Sequence, residues 1–303
     1  MRIKSVAVLG AGAVGSYVIW GLNSVKDIKL GVIAEGERAS RLKKEGCLIN
    51  DEVYRPEVWT SQEAHGVDLL IVSLKYGALH AALDSIKAAV GENTIVMSLM
   101  NGVDSEDIIA EKIGMSHIVY SLIKVASHKE GSGYYFNPET TIGIIFGEAY
   151  EPYQSERIQA IDALFGAGRI NYRITEHIKE EIWSKFRLNV SNNLPQAVLG
   201  AGVGCYTDSE HMKAISNGLR NELEAIAKAK GIDMSVIEKT STRGSAVPPT
   251  ARYSTLQDID AKRHTEIDMF SGALVRMGKE LGVPTPYNEY TYHMIKALEE
   301  KND

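Results

Sequence analysis

Ser5-Val6-Ala7-Val8-Leu9-Gly10-Ala11-Gly12-Ala13-Val14-Gly15 is the stretch on which the fold turns. Ser5 to Leu9 is a short, apolar, β-prone run, the pattern of a strand buried on both faces of a parallel sheet. Gly10 to Gly15 spells GxGxxG, and Ser16 to Leu22 continues as a helical pattern. Strand, glycine turn and helix in that order are the context in which this motif predicts dinucleotide binding; the plain alternative is a ligand-free turn. Gly10 permits the tight turn, Gly12 lets backbone approach a pyrophosphate, and Gly15 lets the helix lie close on the strand. Ala11, Ala13 and Val14 complete the loop at the helix N-terminus, where N–H groups and the helix dipole favour a phosphate.

Outward from this loop, Lys29 to Ile33 reads as a second strand, followed by Ala34-Glu35-Gly36-Glu37-Arg38. An acid about 20 residues past the glycines takes the ribose 2′-hydroxyl of NAD, and an arginine there takes the 2′-phosphate of NADP. Glu35 stands at the acid's position, with Arg38 and Arg41 near enough to clamp a phosphate, so both cofactors stay open. Val67 to Leu74 is the strongest strand by pattern and ends at Lys75. Thr94 to Met100 is the next, ending at Asn101-Gly102. Ligands of doubly wound sheets sit beyond such C-terminal strand ends. Lys75 is therefore a candidate cofactor contact, or a solvated lysine, and Asn101 a candidate ligand contact, or half of a turn pair. Strand-like segments at 117–125, 141–146 and 170–173 extend the sheet, with loops expected around Gly131, Gly133 and Pro138.

Bulk numbers agree with this reading. The 303 residues suggest two domains or one large one, and 44% hydrophobic with 24% charged residues is ordinary for a globular chain. A net charge of −6 without a Lys/Arg block argues against a nucleic-acid surface. Cys47 and Cys205 lie far apart, which fits a reducing, cytoplasmic setting, and the histidines show no metal-ligand spacing. No apolar run is long enough to span a membrane.

From Glu176 onward the pattern is helical, with helices expected over 176–199, 207–230, 233–242, 258–281 and 287–300. The fold class is thus an α/β Rossmann-type N-terminal domain, residues 1–174, plus an all-α C-terminal domain, residues 175–303. In the first of these helices Lys185, Asn189 and Asn193 are four residues apart, so they drift by only about 80° around the axis. An ammonium and two carboxamides on one stripe suit a polar ligand; the alternative is a solvated face capped at Asn192 or Asn193. Glu266 and Asp268 stand among apolar residues of the 258–281 segment, where an acid facing Lys185 would help polarise a carbonyl.

These motifs resemble the ketopantoate reductase family (2-dehydropantoate 2-reductase). The resemblance rests on GAGAVG, the SLK ending at Lys75, Met100-Asn101-Gly102, the W-x-K-x-x-x-N-x-x-x-N from Trp183 to Asn193, and S-x-L-Q-D…T-E-I-D from Ser254 to Asp268. They occur in family order and cover nearly the whole chain. The resemblance implies a Rossmann domain joined to a helical domain, with the active site in the cleft between them. It also implies NADPH-dependent reduction of 2-dehydropantoate to pantoate, on the route to pantothenate and coenzyme A. By resemblance Lys185 is the catalytic lysine and Glu266 a carboxylate contacting substrate. Asn101, Asn189, Asn193 and Ser254 match substrate-binding positions, and Lys75 a cofactor-side lysine. The chain departs from the family pattern at Glu35, where an arginine is common nearby, at Met100, usually glutamine, and at Tyr253-Ser254-Thr255, usually Ser-Ser-Met.

The expected partners are a 2-oxo acid and NADPH, with NADH admitted by Glu35; a homodimer stays open, and neither nucleic acid nor membrane is expected. Two rivals remain at this level. One is an NADH-dependent 2-hydroxyacid dehydrogenase acting on another 2-oxo acid. The other is a non-catalytic dinucleotide sensor, which would have no need of Lys185 as a proton donor.

Overall fold

Val6, Ala7 and Val8 are wholly buried, as a strand covered on both faces requires. In the computed structural model, which describes residues 2–238 and 248–302, they form the middle of β1 (Ser5–Leu9). The chain divides into two compact units, Met1–Asn101 with Ser105–Ile178, and Gly102–Asp104 with Lys179–Asp303.

The first unit carries twelve strands: β1, β2 (Lys29–Ile33), β3 (Cys47–Ile49), β4 (Glu52–Tyr54), β5 (Glu57–Trp59), β6 (Leu69–Val72), β7 (Ile95–Ser98), β8 (Ile118–Lys124), β9 (Ser127–Glu130), β10 (Gly133–Phe136), β11 (Gly143–Gly147) and β12 (Tyr172–Ile174). Eight of them make one sheet in the order β12-β11-β8-β7-β6-β1-β2-β5. All neighbours from β5 to β8 pair in parallel, and β11 runs antiparallel to β8. The helices between the strands are α1 (Ala13–Leu22), α2 (Gly36–Glu45), α3 (Leu79–Ala89), α4 (Ser105–Ile113) and α5 (Glu156–Gly166). This is the expected Rossmann-type arrangement, and chain order reverses between β1 and β6, where ligands of such sheets bind.

Of the two glycines expected in a loop, Gly131 stands in a hairpin turn, whereas Gly133 begins a strand. β9 and β10 pair antiparallel, from Gly133 opposite Glu130 to Phe136 opposite Ser127. With β3 and β4 they build a second, four-stranded sheet, β4-β3-β10-β9. Its strands are only three or four residues long, too short for a period-two pattern to show. The β3–β4 turn uses Asn50 and Asp51, both at positive φ (48° and 66°), as a two-residue hairpin loop demands.

The second unit is helical: α6 (Ile178–Leu188), α7 (Leu194–Leu199), α8 (Cys205–Asp208), α9 (Glu210–Ala229), α10 (Ser235–Glu238), α11 (Ser254–Asp260), α12 (Ser271–Leu281) and α13 (Pro286–Asn302). The end of the helix expected over 233–242 lies outside the described residues. The helix expected over 258–281 is two helices with a turn between them. Lys262 sits at φ +50°, its N–H donating to the Ile259 carbonyl and that of Arg263 to Asp258. This paired bonding is a Schellman stop built on lysine rather than glycine, which is why the sequence shows no helix end there.

A buried carboxylate orders the C-terminal helix. Glu222 on α9 accepts hydrogen bonds from the backbone N–H groups of Tyr287 and Asn288 and from the Asn288 side chain, at 2.7, 2.9 and 2.8 Å. It thereby satisfies first-turn donors of α13 that no intrahelical carbonyl can reach. Glu222→Ala is expected to cost about 2–4 kcal/mol, lowering the thermal midpoint by roughly 5–10 °C. An unchanged midpoint in calorimetry would remove this cap from the account of the fold.

Candidate active site

The glycine loop is held by contacts that leave little room for side chains. Gly10 has φ +108°, and a Cβ there would lie 2.6 Å from the Ser73 carbonyl oxygen. The Ser73 hydroxyl donates to the Gly10 carbonyl at 2.7 Å. A Cβ on Gly15 would overlap that same carbonyl and sit 2.9 Å from the Ser73 hydroxyl. Gly12 is different, because a Cβ there would meet nothing within 4 Å. It caps α1 without any side-chain bond, and the first turn of α1 carries no acidic residue. The positive end of α1 therefore faces open space, an arrangement suited to a pyrophosphate. Glu35 is exposed at the N-cap of α2, Arg38 and Arg41 are exposed on that helix, and Lys75 is exposed beyond β6. Asn101 is half-buried after β7.

In the second unit the helix bearing Lys185 does not stop at Asn192 or Asn193. It continues to Leu199 and is capped by Gly200 at φ +72°. Between Asn189 and Asn193 it widens into a π-type turn, so the even four-residue stripe expected from the sequence is broken there. Two features of the chain cause the widening. Pro195 has no N–H to return to the Ser191 carbonyl, and its ring crowds that position. The next N–H, from Gln196, goes to the Tyr206 hydroxyl at 3.1 Å, and that hydroxyl donates in turn to the Asn192 carbonyl. A phenol is thus inserted into the i→i−4 ladder, a recognised cause of helix distortion. Burial pushes the Tyr206 phenol well above its ordinary value, so it remains a neutral donor. Along this segment Phe186 and Val190 are buried, Lys185 and Asn189 half-buried, and Asn193 buried. A solvated face does not describe this stripe.

Gln196 ties the widened turn to the start of α11. Its side-chain amide donates to the Ala251 carbonyl at 3.0 Å and accepts from the Tyr253 N–H at 2.6 Å. Tyr253 is the N-cap of α11, so Ser254, the next residue, is exposed at that helix's first turn.

Glu266 lies in the turn between α11 and α12, half-buried. Its carbonyl accepts from the N–H groups of Met269 and Phe270 at 3.0 and 3.2 Å. On one side of it Thr265 donates both its N–H and its hydroxyl to buried Glu299, at 2.7 and 2.6 Å. On the other side Ile267 is wholly buried. Asp268 is fastened by Tyr292 at 2.8 Å and Lys296 at 2.7 Å. Burial works against ionising Asp268, yet these two bonds outweigh it and hold its carboxyl below the usual range. Asp268 is therefore committed to the structure through α13. The turn also packs on the segment Gly102–Asp104 of the same unit: a Cβ on Gly102 (φ +92°) would come within 2.7 Å of Met269, and Arg276 pairs with Asp104 at 3.2 Å.

Comparison with known proteins matches residues 6–147 to the family model described as ketopantoate reductase PanE/ApbA, and residues 177–299 to that of its C-terminal domain. The chain belongs to the ketopantoate reductase family. Family membership makes it an oxidoreductase of the nicotinamide-dinucleotide class. A 2-dehydropantoate 2-reductase from Aquifex aeolicus is 26% identical over 98% of this chain and 97% of its own length. Among solved structures, a PanE/ApbA family ketopantoate reductase from Ralstonia eutropha superposes with a TM-score of 0.80 at 22% identity, covering 99% of both chains. A D-mandelate dehydrogenase, solved with NADH and anilino(oxo)acetate, superposes at 0.83 with 22% identity and 99% coverage of both.

Sequence reasoning missed Tyr206, Gln196 and Glu299. Pro195 inside the expected helix was the available signal for the first two. Glu299 had none, being one acid among several on a C-terminal helix. Among the described residues no helix is long and apolar enough to cross a membrane, and no group of three or more His, Cys, Asp or Glu could hold a metal ion.

Proposed function

We propose that the chain reduces 2-dehydropantoate to pantoate with NADPH. The observation that carries this reading is the widened turn after Lys185, held open by Tyr206 and tied through Gln196 to the segment before Ser254. A helix is opened in this way at a cost in backbone bonding, and π-type turns concentrate at functional sites. The turn presents carboxamides that both donate and accept, as a substrate with carboxylate and hydroxyl groups requires.

When bound, a reduced nicotinamide dinucleotide would supply the hydride that the C2 carbonyl carbon needs. Lys185 stabilises the negative charge that develops on the carbonyl oxygen and delivers the proton that turns it into a hydroxyl. Asn101, Asn189, Asn193 and Ser254 hold the substrate, and Glu266 orients it. The backbone from Gly10 to Gly15 takes the pyrophosphate, with Lys75 and Arg38 on the cofactor side.

A second reading is favoured by Glu35. Exposed at the N-cap of α2, it suits a ribose 2′-hydroxyl better than a 2′-phosphate, and Met100 and Tyr253 alter the substrate-side pattern. The chain would then be an NADH-dependent 2-hydroxyacid dehydrogenase acting on another 2-oxo acid. Initial rates with 2-dehydropantoate, using NADPH and NADH side by side, decide between the two. Turnover with NADPH preferred is the expected result. Turnover confined to another 2-oxo acid with NADH would replace the first reading by the second.

A further inference from the structure

Glu106 is 4% exposed, deeper than a carboxylate usually lies, and the mechanism above gives it no task. Beside it are two hydroxyls at least as buried: Ser98 and Ser105 are each 1% exposed. Ser98 is the last residue of β7 and Ser105 the first of α4. Between them the chain turns through residues 99–104, which include Asn101. The two Oγ atoms lie 2.8 Å apart, so one side-chain bond closes the base of this turn.

The carboxylate fixes which way that bond points. An ionised carboxyl only accepts, and Ser105 donates to Glu106 Oε2 at 2.8 Å. A hydroxyl has one proton, so the Ser105 oxygen accepts from Ser98. The Ser98 oxygen is then left to accept only, and it faces the N–H of Met100 at 3.4 Å, a long bond beside Asn101. The first turn of α4, where Glu106 stands, favours its ionised form through the helix dipole. Ser98 and its neighbour are also held by the sheet. Ser121 on β8 donates to the Ser98 carbonyl at 2.7 Å, and the Leu99 N–H donates to the Val72 carbonyl on β6 at 2.8 Å. The strand end is thus rigid, and the hydroxyl chain ties the helix start to it.

We propose that Glu106, acting through Ser105 and Ser98, is a positioning residue that sets the turn bearing Asn101. Its part is to place that carboxamide, not to touch a ligand. The inference rests on the reading of Asn101 as a ligand contact given above. A buried acceptor at the end of the chain leaves the two hydroxyls one arrangement instead of two, and catalysis is sensitive to misplacements of about 1 Å.

A double-mutant cycle tests the assignment. kcat/KM is measured with the 2-oxo acid and nucleotide that the parent turns over. Ser105→Ala cuts the chain and Glu106→Leu removes its acceptor; each should lower kcat/KM by about tenfold or more. In the Asn101→Ala background each should cost less than about twofold, because the group they place is gone. Glu106→Gln keeps an acceptor for the Ser105 hydroxyl and should recover most of what Glu106→Leu loses. If Ser105→Ala does not fold, the two Glu106 variants carry the cycle. Equal losses in both backgrounds, parental kcat/KM in the single variants, or a glutamine no better than the leucine would overturn the proposal. The same cycle is read in affinity for the reduced dinucleotide by fluorescence titration, which needs no turnover. A parent inactive on every 2-oxo acid would remove the function reading alone. The positioning role would then stand on losses of affinity that vanish in the Asn101→Ala background, and would fall if those losses were additive or absent.

Discussion

Lys185→Ala should lower kcat by about 10²–10⁴-fold, the usual worth of general acid catalysis, while changing KM much less. The asymmetry follows from where the charge appears. The carbonyl oxygen of a 2-oxo acid carries little charge in the ground state and acquires it as hydride arrives, so an ammonium aimed at it acts mainly in the transition state. Lys185→Arg separates the two parts of that role. A guanidinium retains the charge but does not surrender a proton in a protein, so the arginine variant should bind substrate yet recover little of the lost kcat. Steady-state rates with saturating cofactor read both effects. An alanine variant with near-parental kcat would withdraw the catalytic assignment from Lys185 altogether.

Gly15→Val should be comparably severe and for a purely steric reason. The Gly15 position faces the Gly10 carbonyl so closely that even a Cβ would overlap it, and the Ser73 hydroxyl lies 2.9 Å from the same point. The colliding atom is backbone already engaged by Ser73 at 2.7 Å, so it cannot swing aside as a flexible side chain would. The first turn of α1 must move away from β1 instead. Such overpacking costs about 1–3 kcal/mol, and the displacement carries the N-terminal donors of α1 out of register with a pyrophosphate. A thermal midpoint lower by several degrees is expected, with dinucleotide affinity reduced more than tenfold by fluorescence titration. Gly12→Ala is the internal control, since its Cβ meets nothing in the protein. It should leave the midpoint nearly unchanged and weaken only the cofactor. Equal loss of midpoint in both variants would contradict this steric account.

The parts of the molecule legible in the sequence are those governed by short-range pattern. β1, the glycine turn and α1 follow from an apolar run and three glycines, and the buried parallel strands β6 and β7 from uninterrupted apolar residues. The helical character of the second unit follows from its periodicity, and the family from motifs in order. The small sheet was not legible, because strands of three or four residues have no period to read and gain stability only by pairing with residues far along the chain. The break at Lys262 was not legible either, since a lysine occupies the left-handed position that glycine usually announces.

The candidate site divides in the same way. Lys185, Asn189, Asn193, Ser254 and Glu266 could be named from their spacing and resemblance alone. What holds them could not. Tyr206 enters the helix ladder from 14 residues away from Asn192, Gln196 reaches 57 residues to Tyr253, and Glu299 reaches 34 residues to Thr265. By itself the sequence determined which chemical groups are present and which segments are helix or buried strand, because those depend on residue type and on neighbours within a turn or two. Only the tertiary structure decided where the helix of Lys185 opens and which acid of the 261–270 turn is tied up by Lys296. These depend on hydrogen bonds and charges brought together across tens of residues, and no local pattern encodes them.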